Sequence, residues 1–358
     1  MPDINFKTFP STRYQGSKRK ILPWIHGVVK DIEFDSVLDA CGGSASVSYL
    51  FKKMGKLVTF NDKLKFNHII GKTLIENNNV TFLKEDLDTL FSNKNDGAKF
   101  IQNVFKDIYF LPRENKWLDQ IANGIVNMNH YVGDELEFKK AIAYYALFQS
   151  SLIKRPFNLF HRKNLTIRTA DVDRQFGNKT TWEKSFRSHF SSFIEEVNSC
   201  VFDSGRNCLA LNESIFDIDP TRYDLVYIDP PYLNKDGTNE TSDYLRCYHF
   251  LEGLANYNEW TDLVDFATIN RRFKQDAEEN DFSKQNIFAS FEKMISKFQN
   301  NKIIISYKIG GIPSIKHIIK MMKKYKRTVY TRSLQYHYAL NKQNGNAKKN
   351  REVLIIGE

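Results

Sequence analysis

Asp229, Pro230, Pro231 and Tyr232 set a carboxylate, two rigid imino acids and an aromatic ring in immediate succession. A planar amine such as the exocyclic NH₂ of a nucleobase offers two donors that this stretch can accept. The Asp229 carboxylate takes one and the Pro230 carbonyl the other, while Pro231 has no N–H to compete. Tyr232 supplies a face for the ring, and such stacking is worth about 1–3 kcal/mol per base. Taken alone, the four residues also fit a plain strand end with a packed tyrosine, so the elements around them have to decide.

Residues 224–228 form a short apolar, strand-forming run that the prolines must end at Asp229. In open α/β sheets ligands bind beyond that carboxyl end. Residues 37–40 read as a second buried strand, 42–46 as a tight turn of small residues and 47 onward as a helix. This strand, glycine turn and helix is the opening of a nucleotide-binding unit, with Asp39, Cys41 and Gly43 at its turn. Residues 57–62 form another strand, and its Asp62, about 20 residues beyond Asp39, is placed to accept from ribose hydroxyls. The turn carries no Gly-Lys-Ser/Thr, so it is not a triphosphate loop. Upstream, Tyr14 and Lys18 flank Gly16, where backbone can approach a ligand closely. Strands are also expected at 208–211 and 302–307, and a closing antiparallel pair at 328–334 and 352–356. The fold class is therefore α/β, a sheet with helices on both faces.

The chain has 358 residues, 41% hydrophobic and 26% charged, as in an ordinary globular protein of one large or two modest domains. No apolar run approaches a membrane span, and the N-terminus has no signal-peptide pattern. Cys41, Cys200, Cys208 and Cys247 show no paired metal spacing, and no histidine falls in a ligand motif. The expectation is a cytoplasmic protein with reduced thiols, no membrane and no metal. The net charge of +10 is uneven: residues 151–190 hold nine Lys/Arg against three Asp/Glu, and 316–351 hold eleven against none. Blocks of this kind fit a polyanionic partner.

From about 80 to 205 the pattern turns helical, with periodic stretches at 98–110, 117–126, 135–152 and 182–197. Between the last two, Arg155, Asn158, Arg162, Lys163, Asn164, Arg168, Arg174, Asn178 and Lys179 interleave with aromatics. Such side chains are what base-edge and phosphate contacts require. A polar loop at 233–243 follows Tyr232 as a lid would.

In this order the pieces resemble the alpha-class (Dam-like) DNA N6-adenine methyltransferases, over nearly the whole chain. The shared motifs are Tyr14-x-Gly16-x-Lys18, the Asp39 turn with Gly43, Asp62, a recognition insert, and Asp229 to Tyr232. The segments 176–182 and 248–254 also look like family signatures. Cys41 stands where the family usually has Phe, and Ala45 where it has a second turn glycine, which demands a permissive backbone there. The resemblance implies a Rossmann-like S-adenosylmethionine-dependent methyltransferase sheet, built from 1–79 and 206–358, with a helical target-recognition domain at 80–205. It implies transfer to N6 of a flipped-out adenine in double-stranded DNA, in the restriction–modification branch, with a cognate restriction endonuclease as a separately acting partner. Asp229, Pro230, Pro231 and Tyr232 would be catalytic. Tyr14, Lys18, Asp39, Cys41, Gly43, Asp62, Asp217 and Asp229 would serve the cofactor. The alternatives are an N4-cytosine DNA enzyme, in which Ser usually stands at position 229, an N6-adenine RNA enzyme, or a non-catalytic DNA-binding subunit, which would be expected to lack Asp229 or Tyr232.

Overall fold

The computed structural model describes residues 4–92, 97–172, 178–234, 243–274, 281–335 and 351–358. Seven strands form one sheet: β1 (Ser36–Asp39), β2 (Leu57–Asn61), β3 (Leu209–Leu211), β4 (Leu225–Ile228), β5 (Lys302–Lys308), β6 (Val329–Gln335) and β7 (Arg351–Gly357). Their order is β3-β2-β1-β4-β5-β7-β6. The first five are parallel, and β7 pairs antiparallel with both β5 and β6. The expected closing antiparallel pair is therefore present. Chain progress reverses direction between β1 and β4, which makes their carboxyl ends the switch point where such sheets bind ligands. Asp39 lies in register with Tyr227, so Asp229 projects two residues beyond it on the neighbouring strand.

Alternation along β4 divides the core. Leu225 and Tyr227 join Val37, Phe60 and Ile304 on one face. Val226 and Ile228 join Leu38, Ile303 and Ile305 on the other, covered by the helices Ile287–Lys297 and Ile315–Met322. Burial on both faces explains why these strands read as continuous apolar runs. The region expected to be a separate helical domain packs on the first face: Ile142, Tyr145 and Phe148 of the helix Gly133–Ile153 belong to the same core as Phe60 and Tyr227.

Some helices are shorter than their periodicity predicts. The stretch 98–110 is helical only over Phe100–Val104, and the chain then turns through Asp107 at φ +56°. The buried Phe105, Tyr109 and Phe110 that mimicked a helical stripe pack instead from this turn. The helix expected at 182–197 runs Phe186–Cys200, starting at Ser185, whose side chain accepts from the Ser188 N–H. Among the described residues no helix is long and apolar enough to cross a membrane.

Candidate active site

A cavity of about 730 Å³ opens at the carboxyl ends of β1, β2 and β4, a size suited to a small-molecule ligand. Its walls include Tyr14, Lys18, Asp39, Cys41, Gly43, Asp62 and Asp229. Seven of the eight expected cofactor residues thus meet in one place. Asp217 does not: it is exposed and absent from the wall, while Glu213, Ser214 and Ile215, just before it, line the cavity. The Asp217 N–H donates to the Ser214 carbonyl, closing a turn just beyond these wall residues.

The turn after β1 is built by close approach. A Cβ on Gly42 would fall 2.2 Å from a Phe60 ring carbon, and one on Gly43, at φ +48°, would fall 2.9 Å from the Tyr14 ring. Ala45 takes φ +58° and is fully buried. That left-handed backbone is the permissive conformation demanded of a residue in a glycine's place, and alanine adopts it at a cost of about 1–2 kcal/mol. Asp62 braces the turn: its two oxygens accept from the Gly43 N–H at 3.0 Å and the Leu64 N–H at 2.9 Å. Asp39 accepts from the Ser48 hydroxyl at 2.5 Å. Burial pushes Asp39 up to about 7, against the opposing Ser48 hydrogen bond, and burial likewise raises Asp62.

Asp229 keeps 23% of its side-chain surface open while its neighbours are buried. The Lys18 ammonium lies 2.9 Å from its Oδ2 and 3.2 Å from Glu352 Oε1. Burial pushes Asp229 up to about 6; Lys18 opposes the shift and Glu352 adds to it. For Lys18, burial alone would lower the pKa, but the two carboxylates outweigh it and hold the ammonium well above its ordinary value. Pro230 is buried and Pro231 lines the cavity. Tyr232 is half-buried, edge-on to Tyr307 at 5.4 Å, with the Lys308 ammonium 4.4 Å from its ring centre.

Several residues on or near the cavity wall lie outside the expected site set. Tyr244 stacks on Tyr14 at 5.4 Å, and Tyr14 on Tyr248 at 5.0 Å. Glu252 accepts from the N–H groups of Lys65 and Phe66 at 2.9 and 3.0 Å, holding the start of the helix Lys65–Gly71 beside Asp62. It lies in the segment 248–254, whose pattern was visible. Glu352 and Ser306 had no such signal beyond a lone acid at the head of an apolar strand.

The basic aromatic segment divides. Arg155 is 2% exposed and donates to the carbonyls of Tyr109, Leu159, Arg162 and Lys163, stacked on Tyr109. Arg168 is buried and forks onto both Glu114 oxygens at 2.9 and 2.8 Å. Both were expected to reach DNA, and both are instead spent inside the protein, because the loop's carbonyls and a buried acid need donors there. Arg162 and Lys163 are exposed, and Asn158 and Asn164 half-buried. Arg174 lies outside the described residues, as do the side chains of Asn178 and Lys179 and most of the lid at 233–243. Among the described residues no group of acids, histidines or cysteines could hold a metal ion.

Comparison with known proteins adds to this geometry. Residues 14–259 match the D12 class N6 adenine-specific DNA methyltransferase family. The chain is 26% identical to the type II methyltransferase M2.HphI of Haemophilus parahaemolyticus, with 99% of each chain covered. It is 24% identical to the modification methylase StsI of Streptococcus sanguinis and 23% identical to the type II methyltransferase M.FokI of Planomicrobium okeanokoites. Those matches cover 95% and 87% of this chain but only 50% and 47% of the relatives, so the chain spans about half their length.

Proposed function

This chain belongs to the D12 class N6 adenine-specific DNA methyltransferases, and from that premise we propose that it uses S-adenosylmethionine to methylate N6 of an adenine flipped out of duplex DNA, as the modification enzyme of a restriction–modification system. The observation that carries the reading is Asp229, a partly open carboxylate at a strand tip, over a cavity walled by the Asp39 turn and Asp62.

The cavity suits the cofactor's chemistry. S-adenosylmethionine is cationic at sulfur and at its amino group, and buried carboxylates, Asp39 and Asp62 among them, line the wall. Bound there, it would supply an activated methyl group to the N6 lone pair. Asp39 and the tight turn would hold the methionine part. Asp62, already aligned by two backbone N–H groups, keeps lone pairs for ribose hydroxyls. Ser214 and Ile215 replace Asp217 as the candidates beside the cofactor's adenine.

At the target, the Asp229 carboxylate and the Pro230 carbonyl accept the two N6 hydrogens and turn the nitrogen lone pair toward the methyl. The same carboxylate stabilises positive charge as it grows on N6. Tyr232 stacks on the flipped base. The remaining rate gain is positional, with the reacting atoms held in line. Arg162, Lys163, Asn158 and Asn164 are the surviving candidates for DNA contact in the segment, with Arg174, Asn178 and Lys179 completing the set. Loss of a base-edge contact should cost about 1–3 kcal/mol on the cognate site alone.

The deciding experiment is Asp229→Ala. Methyl transfer to DNA should be lost while cofactor and DNA affinities stay close to wild type, because the carboxylate acts on charge that develops during transfer. Nucleoside mass spectrometry of DNA from cells expressing the chain should find N6-methyladenine. Near wild-type turnover by the variant, or N4-methylcytosine as the product, would overturn the reading.

A further inference from the structure

The ammonium of Lys18 is divided between two carboxylates that enter from different parts of the sheet. One is Asp229, beyond the tip of β4, at 2.9 Å; the other is Glu352 on β7, at 3.2 Å. Glu352 is 1% exposed and stands in register with Lys308 of β5. The Ser306 hydroxyl, also on β5 and fully buried, donates to the same Glu352 Oε1 at 2.8 Å. A third, longer contact runs from Lys18 Nζ to the Gly16 carbonyl at 3.5 Å.

A buried ion pair costs desolvation, and one carboxylate would suffice to compensate one ammonium. A second carboxylate, itself fixed by a serine, adds like charge beside Asp229. That arrangement makes chemical sense if Asp229 must not be neutralised one-to-one. A carboxylate locked in a private ion pair is a weaker acceptor for the target amine and a weaker stabiliser of positive charge on N6. We propose that Glu352 is a positioning residue for methyl transfer: by taking a share of the Lys18 ammonium, it keeps Asp229 oriented toward the cavity and only partly compensated. The proposal rests on the reading of Asp229 given above.

Other groups around this centre do not replace Glu352. Tyr227, Tyr232 and Tyr244 are held neutral by burial, their pKa values pushed upward. Lys308, the next cation, is engaged with the Asn234 side-chain oxygen at 3.1 Å and with the Tyr232 ring. Asp39 and Cys41 approach from the β1 side; Asp39 is bonded to Ser48, and burial keeps the Cys41 thiol protonated.

The test compares wild type, Glu352→Gln, Glu352→Asp, Ser306→Ala and Asp229→Ala in the full chain. Single-turnover transfer of a labelled methyl from S-adenosylmethionine to genomic DNA lacking adenine methylation is measured across pH, beside cofactor affinity and thermal melting. Misplacement of a reacting group by an ångström can cost about 100-fold. Glu352→Gln should therefore slow transfer by about 10- to 100-fold with cofactor affinity within about twofold. Its acid limb should also move to lower pH, because a negative charge that raises Asp229 is gone. Glu352→Asp should recover part of the rate, and Ser306→Ala should lose about threefold, the effect of one hydrogen bond.

An unshifted acid limb at wild-type rate in Glu352→Gln, with Asp229→Ala inactive, would overturn the inference and leave the site reading standing. An active Asp229→Ala would sink the site reading itself. Should Glu352→Gln melt below the assay temperature, the milder variants decide: wild-type rates in both Ser306→Ala and Glu352→Asp would reduce Glu352 to a structural role.

Discussion

Buried acids at the sheet tips and in the helical insert live under opposite conditions. Asp39 and Glu252 are each pushed up to about 7 and Asp229 to about 6, in every case chiefly by burial. In the insert, burial would raise Glu114 too, but the Arg168 fork and the Lys154 ammonium at 2.9 Å hold it below its ordinary value. Asp86 is similarly tied to Lys139 at 2.5 Å and to the Tyr131 hydroxyl. One region leaves its buried charge only partly compensated beside a cavity; the other meets the buried acids Asp86 and Glu114 with cations before closing over them. Partly compensated burial suits a site that takes a cationic ligand, whereas matched burial holds helices together.

Stability measurements can break that contrast. Arg168→Ala should destabilise the protein by about 3 kcal/mol, because it strips a buried carboxylate of its forked partner. Asp39→Asn should do the reverse, stabilising by about 1 kcal/mol while weakening cofactor binding, as expected where function is held against stability. Urea unfolding of the two variants gives the answer. Destabilisation by both would show that Asp39 is part of the scaffold.

Acid sharpens it further. A carboxyl raised in the folded state binds protons there that the unfolded chain releases, so its favourable contribution lies on the acid side and is lost as pH rises through about 6 to 7 at Asp229 and Asp39. Glu114 is depressed, so its contribution is present above the ordinary glutamate range and is lost as pH falls through its lowered value. Amide exchange followed from about pH 8 to pH 5 should show the β1 and β4 tips gaining protection, with Phe186–Cys200 and Pro112–Val126 little changed. Methyl transfer should fall over the same interval, since in the proposed mechanism Asp229 has to be ionised to accept from N6.

The smallest effect concerns backbone strain. Phe157 is 67% exposed and sits at φ +62°, a position that favours Asn or Gly. Phe157→Asn should raise stability by up to about 1 kcal/mol. Ala45→Gly relieves a similar backbone conformation but loses a buried methyl, and the two terms should nearly cancel. A clear gain at Ala45 would mean that the sheet tips store strain as well as charge.

What could be read from the sequence follows the same division. The tips of β1, β2 and β4 were legible because apolar runs ended abruptly in Asp39, Asp62 and Asp229, and the cavity forms where those ends meet. Arg155 and Arg168 were misread because a cation among aromatics describes two situations equally well. It fits a surface that meets bases, and it fits a guanidinium stacked inside on Tyr109 and feeding four loop carbonyls. Only the fold brings those carbonyls together. Asp217 was named for the cofactor by the resemblance alone, and the wall is lined instead by Glu213, Ser214 and Ile215 just before it. Glu352 was invisible because its meaning depends on β7 being inserted beside β5.

That insertion also bears on how the protein acquires activity. Lys18, Asp229 and Glu352 are remote along the chain, yet share one ammonium. Contacts of such separation pay a large loop-closure cost and form late. An intermediate with β1 to β3 and the helical insert in place would already shape much of the cavity's wall, but would lack its charge-sharing centre. Methyl transfer is therefore a sensitive reporter of complete folding and should stay impaired until the antiparallel edge has docked. Fragments divided between β4 and β7 should regain it only on reassembly.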